Sequence, residues 1–470
     1  MSVEKSEQRN HLSRRNLLKL MGGTAGMMAL AGCVAPAGAP AASDGSAPAA
    51  APITLTVQHR REYFAEMETL FANAVQDWGA ENNVNLEVST VGAEAFEDFV
   101  AKTFASVEAG NPPDLIYHVR LVQQLYFLDA LTPLSDAVAE AESLYGTAPY
   151  GQRAHSFIDG EWYGIPYQMA GGGKFVRQDK LAEIGLDPDA DMATWDQVRT
   201  SALAMSDPEN EFYGWGATVN RSGDANGLVS NILQAWGSQI TDAEMSQLTF
   251  DSDATVAAVE WITEIFTSDE YAPMLPPGIM SWTDISNNEV WLAGSAGFTN
   301  NAASLYAQSK ADGNPVFENT AVILEPIGPY GERLSGGTGG SFVVPRGAQY
   351  VDEAVALSMH MITPEVFLPI SLISAGLFLP AYAGYYEMDA VVEAFAEDPN
   401  LARMGENALG DHQGLSWPAE ATPFHDAIQA ESILTDMMAQ TIIQGATAAD
   451  AVTQAEERMA RIGDEMGAFE

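Results

Sequence analysis

Apolar and polar residues alternate over Ile53 to Gln58 (ITLTVQ), a β-branched run that predicts a first strand. From Glu62 to Asn82 the period changes. Phe64, Met67, Leu70, Phe71, Ala74, Val75 and Trp78 recur at helical spacing, which predicts an amphipathic helix. Val84 to Thr90 (VNLEVST) predicts a second strand. Phe96 to Ala109 predicts a second helix, closed by Gly110-Asn111-Pro112-Pro113, and Asp114 to His118 a short third strand. The order strand, helix, strand, helix, strand argues for an α/β domain with a mainly parallel sheet. Ligands of such sheets sit beyond the carboxyl ends of the strands. Here those positions hold His59, Arg60 and Arg61 after the first strand and Arg120 after the third.

The first 52 residues follow a different pattern. A charged start is followed by a mildly apolar run, Leu20 to Ala31. As a helix it would reach roughly 18 Å, against a hydrocarbon core of ~30 Å, so it predicts an export signal rather than a stable span. Ser13-Arg14-Arg15-Asn16-Leu17-Leu18-Lys19 resembles the twin-arginine export signal, and Leu30-Ala31-Gly32-Cys33 resembles the lipobox of bacterial lipoproteins. Cys33 is the only cysteine of the chain. A thiol used once, behind a leader, points to lipid attachment rather than to catalysis or a disulfide. Residues 34–52 are almost entirely Ala, Pro, Gly and Ser and predict a flexible tether. The implied location is the outer face of the cell membrane, or the periplasm, with the membrane met only through the lipid anchor.

Residues 53–470 have ordinary apolar content and no further apolar run of membrane-spanning length, which fits two domains or one bilobed body. The net charge of the whole chain is −43. Removing residues 1–33 deepens it, because they carry five Lys and Arg against two Glu. So acidic a surface repels phosphate backbones and excludes nucleic acid as a partner. It also makes the few arginines at the strand ends conspicuous.

Phe96-Glu97-Asp98-Phe99 through Ala109-Gly110-Asn111-Pro112-Pro113-Asp114-Leu115-Ile116 resembles the helix–AGNPPD–strand signature of one family. Four further segments match that family in order. They are Gly160 to Pro166 (GEWYGIP), Lys180 to Leu186 with Ala193 to Val198 (ATWDQV), Gly336 to Pro345 (GGTGGSFVVP), and Gln444 to Thr447 with Asp450-Ala451. The chain therefore resembles, over its whole body, the extracellular solute-binding proteins of ABC transporters, family 1, the sugar-binding group. It departs from them at Gly297-Phe298-Thr299-Asn300-Asn301, where the family usually carries an aromatic-rich Asn-Pro-Trp.

The resemblance implies a two-lobed periplasmic-binding-protein fold of type II, with the ligand cleft between two α/β lobes. Lobe one would hold residues 53–165 and 335–370, and lobe two residues 172–330 and 375–470. The crossings would fall at 165–173, 326–336 and 371–380, stretches rich in Gly and Pro. A monomer that closes on a carbohydrate and hands it to ABC permease subunits is the function implied, with no cofactor.

A sugar site needs flat aromatic surfaces for C–H faces and polar side chains for hydroxyls. Seven of the nine tryptophans fall in the second lobe. Trp195 and Trp261 read as core residues. Trp215, Trp236 and Trp417 sit at element ends and are candidate ligand surfaces, with Tyr167 and Gln168 just past the first crossing and Asn300 in the far lobe. Thr338, in the glycine-rich run, is a further candidate. Arg60, Arg61 and Arg120 fit a carboxylate or phosphate bidentately, so an acidic oligosaccharide or a glycerol phosphate compound is the alternative ligand. The bland alternative is that these arginines pair with local acids such as Glu62 and Glu66.

Other classes find less support. Ala293-Gly294-Ser295-Ala296-Gly297 lacks the first glycine of a nucleophile elbow. Gly171-Gly172-Gly173-Lys174 lacks the leading glycine and the hydroxyl of a phosphate loop. No carboxylate pair stands out among 64 acids, so no glycan-processing enzyme is indicated. The seven histidines show no metal-ligand spacing, and Tyr385-Tyr386 is the one tyrosine pair suited to iron.

Overall fold

The computed structural model describes residues 53–91, 96–119, 122–411 and 414–469. Residues 1–52, with the leader, Cys33 and the tether, lie outside them, as does Arg120. The first strand, β1 (Ile53–Arg60), buries Leu55, Val57 and His59 on one face, as its alternation requires. It pairs in parallel with β2 (Val84–Val91) and with β3 (Leu115–Val119). The intervening helices, Ala65–Asn82 and Phe96–Glu108, lie where the periodicity puts them. Asp114 locks this unit. Its carboxylate accepts from the Thr56 amide at 2.9 Å and hydroxyl at 2.7 Å, and from the amides of Gln349 and Tyr350 at 2.9 and 3.2 Å.

A two-stranded ribbon follows, β4 (Phe157–Ile158) and β5 (Glu161–Trp162). The chain then crosses between sheets. β6 (Ile165–Ala170) belongs to the first sheet and β7 (Gly172–Arg177) to the second, with Gly171 alone between them. A Cβ on Gly171 would lie 1.8 Å from the Gly376 carbonyl oxygen, so only glycine passes here.

The second sheet is completed by β8 (Tyr213–Trp215), β9 (Ala296–Ala302) and β10 (Thr320–Ile323), in the order β10-β7-β9-β8. The chain returns through residues 324–338 to β11 (Gly339–Val343) and reaches the edge strand β12 (Phe378–Pro380), giving a first sheet ordered β12-β6-β11-β3-β1-β2. The chain thus passes between the sheets at Gly171 and again over residues 324–338, whereas the stretch 371–380, expected to hold a third crossing, leads into the edge of the first sheet.

β12 pairs with β6 inside lobe one, and Tyr382 and Tyr385 beyond it pack on Tyr145. The link to lobe two is the helix Pro399–Ala408. Its Leu401 and Met404 join the first core, while Asn400 bridges to β10, donating to the Thr320 carbonyl at 2.8 Å and accepting from the Val322 amide at 2.8 Å. The Gly376 and Pro380 signals mark a tight edge-strand turn, which has the same composition as a hinge. The closing helices Pro423–Ala430, Ile433–Ile442 and Ala448–Met466 bury their apolar faces in the second core. Among the described residues no single helix is long and apolar enough to cross a membrane.

Candidate cleft between the lobes

Strand direction fixes which edges face each other. In the first sheet β1, β2, β3 and β6 run in parallel and β11 runs against them, so Arg60, Val119, Ala170 and Gly339 lie along one edge. In the second sheet the same reasoning brings Trp215, Ala302, Gly172 and Ile323 to one edge. The Ala170-Gly171-Gly172 link joins the two edges directly. A cleft between two sheet edges, bordered by the crossings, is the site the topology defines.

On the lobe-one side, β1 ends in Arg60 and the chain turns. The Arg61 amide donates to the Val91 carbonyl at 2.7 Å, and the Glu62 amide donates to the Glu68 carboxylate at 2.8 Å. This fixes Glu62 with its side chain inward, 5% exposed. Arg61 is exposed. Neither arginine forms an ion pair with Glu62 or Glu66. Both Glu62 carboxyl oxygens and the Arg60 Nε are buried without a hydrogen-bond partner. The Tyr117 hydroxyl on β3 and the side chain of Gln168 on β6 are buried against each other.

Burial pushes the Glu62 carboxyl up to about 8, with nearby Arg60 opposing and Glu68 adding to the rise. Burial also raises the Tyr117 hydroxyl, with Glu62 the next cause. Polar atoms of opposite sign thus gather at one edge, buried and unsatisfied. In native proteins such groups are rare and call for an explanation.

The glycine-rich run meets this cluster. A Cβ on Gly340 would come within 2.8 Å of the Tyr117 ring, and one on Gly339 within 2.0 Å of the Gln168 carbonyl oxygen. Close packing against β3 and β6 therefore accounts for these two glycines. Thr338 is exposed beside them, its carbonyl accepting from the Ala170 amide at 2.7 Å.

The remaining candidates divide. Tyr167 is 1% exposed and packs edge-on against Tyr117 and Phe367, within the first core. Trp215 is 1% exposed, packs on Phe298 at 4.9 Å, and donates its indole N–H to the Ala217 carbonyl at 2.8 Å. These two support the walls and offer no surface. Trp236 is half-buried against Trp261 at 5.0 Å, and Trp417 against Tyr330 at 5.4 Å. Asn300 holds the mouth of lobe two, donating to the Asp224 carbonyl at 3.1 Å.

The tyrosine pair spends both hydroxyls inside the fold: Tyr385 donates to the Ile362 carbonyl, and Tyr386 to that of Pro380 at 3.0 Å. Among the described residues no group of three His, Cys, Asp or Glu could hold a metal.

Two features escape sequence reasoning. Glu62 is one; the other lies at the crossings. Lys174 on β7 is 2% exposed and pairs with Glu325 at 2.5 Å, with the face of Trp195 5.8 Å away. The Asn231 amide, turned to satisfy its neighbours, accepts from Lys174 at 2.6 Å. The Glu325 amide donates to Asn407, on the third connection, at 3.3 Å. A Gly-Gly-Lys run signals a turn with a solvated lysine, and only the second crossing, distant in sequence, supplies the acid that buries it.

Two α/β lobes on three connections, with their sheet edges joined by the Ala170-Gly171-Gly172 link, define a two-lobed binding protein. The comparisons narrow the class. Residues 73–403 match the family model described as bacterial extracellular solute-binding protein, and the chain belongs to that family. Solved structures share the fold at low identity. MalE3 of T. maritima, bound to maltose, superposes with a TM-score of 0.71 at 17% identity, covering 87% of this chain and 100% of that one. An ABC transporter solute-binding protein of Thermotoga lettingae, bound with α-D-tagatose, gives 0.69 at 18%, covering 87% and 99%. The GacH receptor of Streptomyces glaucescens, solved unliganded and with acarbose, gives 0.70 at 16%, covering 87% and 98%. No protein of curated function matches this sequence.

Proposed function

We propose that this protein is the substrate-binding lipoprotein of an ABC importer, tethered through Cys33, that captures a carbohydrate in the cleft and delivers it to its permease by lobe closure. The observation that supports the reading is the pair of sheet edges, ending in Arg60, Val119 and Ala170 on one lobe and in Gly172, Ala302 and Trp215 on the other, joined by the Ala170-Gly171-Gly172 link. Sugars bound to proteins of the same fold, maltose and tagatose among them, agree with it. In this reading Arg60, Arg61 and Thr338 line lobe one, with Gln168 buried behind them, while Arg120 lies outside the described residues. Asn300, Trp236 and Trp417 line lobe two, while Tyr167 and Trp215 brace the walls. The protein acts as a monomer, without catalysis.

The test is a thermal-shift and tryptophan-fluorescence screen of the purified protein against paired neutral and acidic saccharides. A ligand that binds only the folded state raises its stability by about 2.7 kcal/mol at a hundredfold excess over Kd. A clear rise in melting temperature with a saccharide supports the reading. No shift with any saccharide overturns it.

A further inference from the structure

We propose that Gly227 is a ligand-contacting position on the lobe-two wall of the cleft. Bare helix backbone there receives the C–H face of a saccharide ring, while Asn300 accepts from one of its hydroxyls. The inference rests on the carbohydrate reading above and deepens it by assigning one wall position of the site.

The helix Gly223–Ala235 lies across the cleft end of the second sheet. Near its start the Asp224 carbonyl accepts from the Asn300 side chain on β9 at 3.1 Å. Further along, Asn231 accepts from Lys174 on β7 at 2.6 Å. At its end the Ala235 carbonyl accepts from the Tyr330 amide, in the second crossing, at 3.0 Å. Asn300 and Lys174 are cross-strand partners, each two residues from the strand end that borders the cleft. Leu228, Val229, Ile232 and Leu233 bury one side of the helix in the second core. Helical spacing puts Asp224, Gly227 and Asn231 together on the other side.

Glycine inside a helix weakens it relative to alanine, so its presence calls for a reason. At four other helical glycines the reason is packing. A Cβ on Gly79, Gly151, Gly405 or Gly463 would come within 2.6, 1.8, 2.8 and 2.2 Å of a neighbouring atom. Gly227 is different. Among the described residues, and its own helix backbone aside, the one atom within 4 Å of a Cβ there is the Asn300 Nδ2, at 3.9 Å. That is an ordinary contact. The backbone is helical, so no positive φ requires glycine either. Alanine would serve the fold better. A bare backbone serves a group that has to approach it closely.

Two amide side chains frame the open position. Asn231, held by Lys174, donates to the Gly227 carbonyl at 3.1 Å, which fixes its orientation. Asn300 uses its Nδ2 on the Asp224 carbonyl and keeps Oδ1 as an acceptor. A sugar ring laid on Gly227 sets its apolar C–H groups on the helix and brings a hydroxyl to Oδ1. A methyl group at residue 227 lifts the ring from both contacts at once.

The experiment pairs thermal melting with calorimetric titration of the full-length protein and its Gly227→Ala and Gly227→Leu variants. The probes are maltose, glucose, galactose and tagatose. Gly227→Ala should melt at the wild-type temperature or above it, yet bind saccharide about tenfold or more weakly, as one added carbon in a fitted site does. Gly227→Leu fills more of the same space and should bind about a hundredfold or more weakly while remaining folded. Wild-type affinity in both variants would overturn the proposal alone. So would a clear fall in the melting temperature of Gly227→Ala, because packing would then account for the glycine. If the wild type binds none of the four probes, the carbohydrate reading fails and the proposal falls with it.

Discussion

Glu62 carries a cost to the empty protein that can be measured without any ligand. Its folded titration, about 8, lies above the unfolded value of 4.5, so the folded state holds the extra proton between the two. Stability from this group is present below about pH 4.5 and lost as pH rises towards 8. Glu62→Gln removes that loss. Urea denaturation at pH 8.5 should show it more stable than the wild type, because the buried amide carries no charge to desolvate. His425 works in the opposite direction: burial pushes it down to about 4, so it withdraws stability as pH falls from 6.5 to 4. Trp215→Ala is expected to act purely through packing. It should cost about 3–5 kcal/mol in urea denaturation, as large core truncations do. What the sequence displays at this scale is residue type and neighbourhood. It places Arg60 and Arg61 at a strand end, but an acid next to two arginines reads as their partner. Only the turn anchored on Glu68 reveals that it faces away.

The elements explain which crossings were legible. Gly171 and residues 324–338, both with Gly, connect the two sheets. Gly376 and Pro380 share that content, yet serve an edge strand. The third connection is an ordinary helix, Pro399–Ala408, whose bridging role resides in Asn400 and Asn407 and leaves no compositional mark. The alternating and helical patterns of lobe one were readable because each element buries one face against its own sequence neighbours. The Lys174–Glu325 pair joins β7 to the second crossing, 151 residues away in sequence, so no local pattern betrays it. Lys174→Met leaves Glu325 buried without its cation and should lose about 3–5 kcal/mol by urea denaturation. Adding Glu325→Leu should restore much of that loss, because the uncompensated charge is then gone.

For the whole molecule, a net charge of −43 makes self-repulsion a standing load on the folded state. Raising NaCl from about 0.01 M to about 1 M shortens the screening length from about 30 Å to about 3 Å. The melting temperature by calorimetry should therefore climb with salt. In the proposed function, the two lobes and their connections turn capture of a ligand into a change that a permease reads. That capture is the central claim, and calorimetric titration of the protein with neutral saccharides addresses it most directly. The account predicts saturable one-to-one binding of at least one neutral saccharide. Titrations that show no binding across neutral and acidic saccharides alike would contradict it.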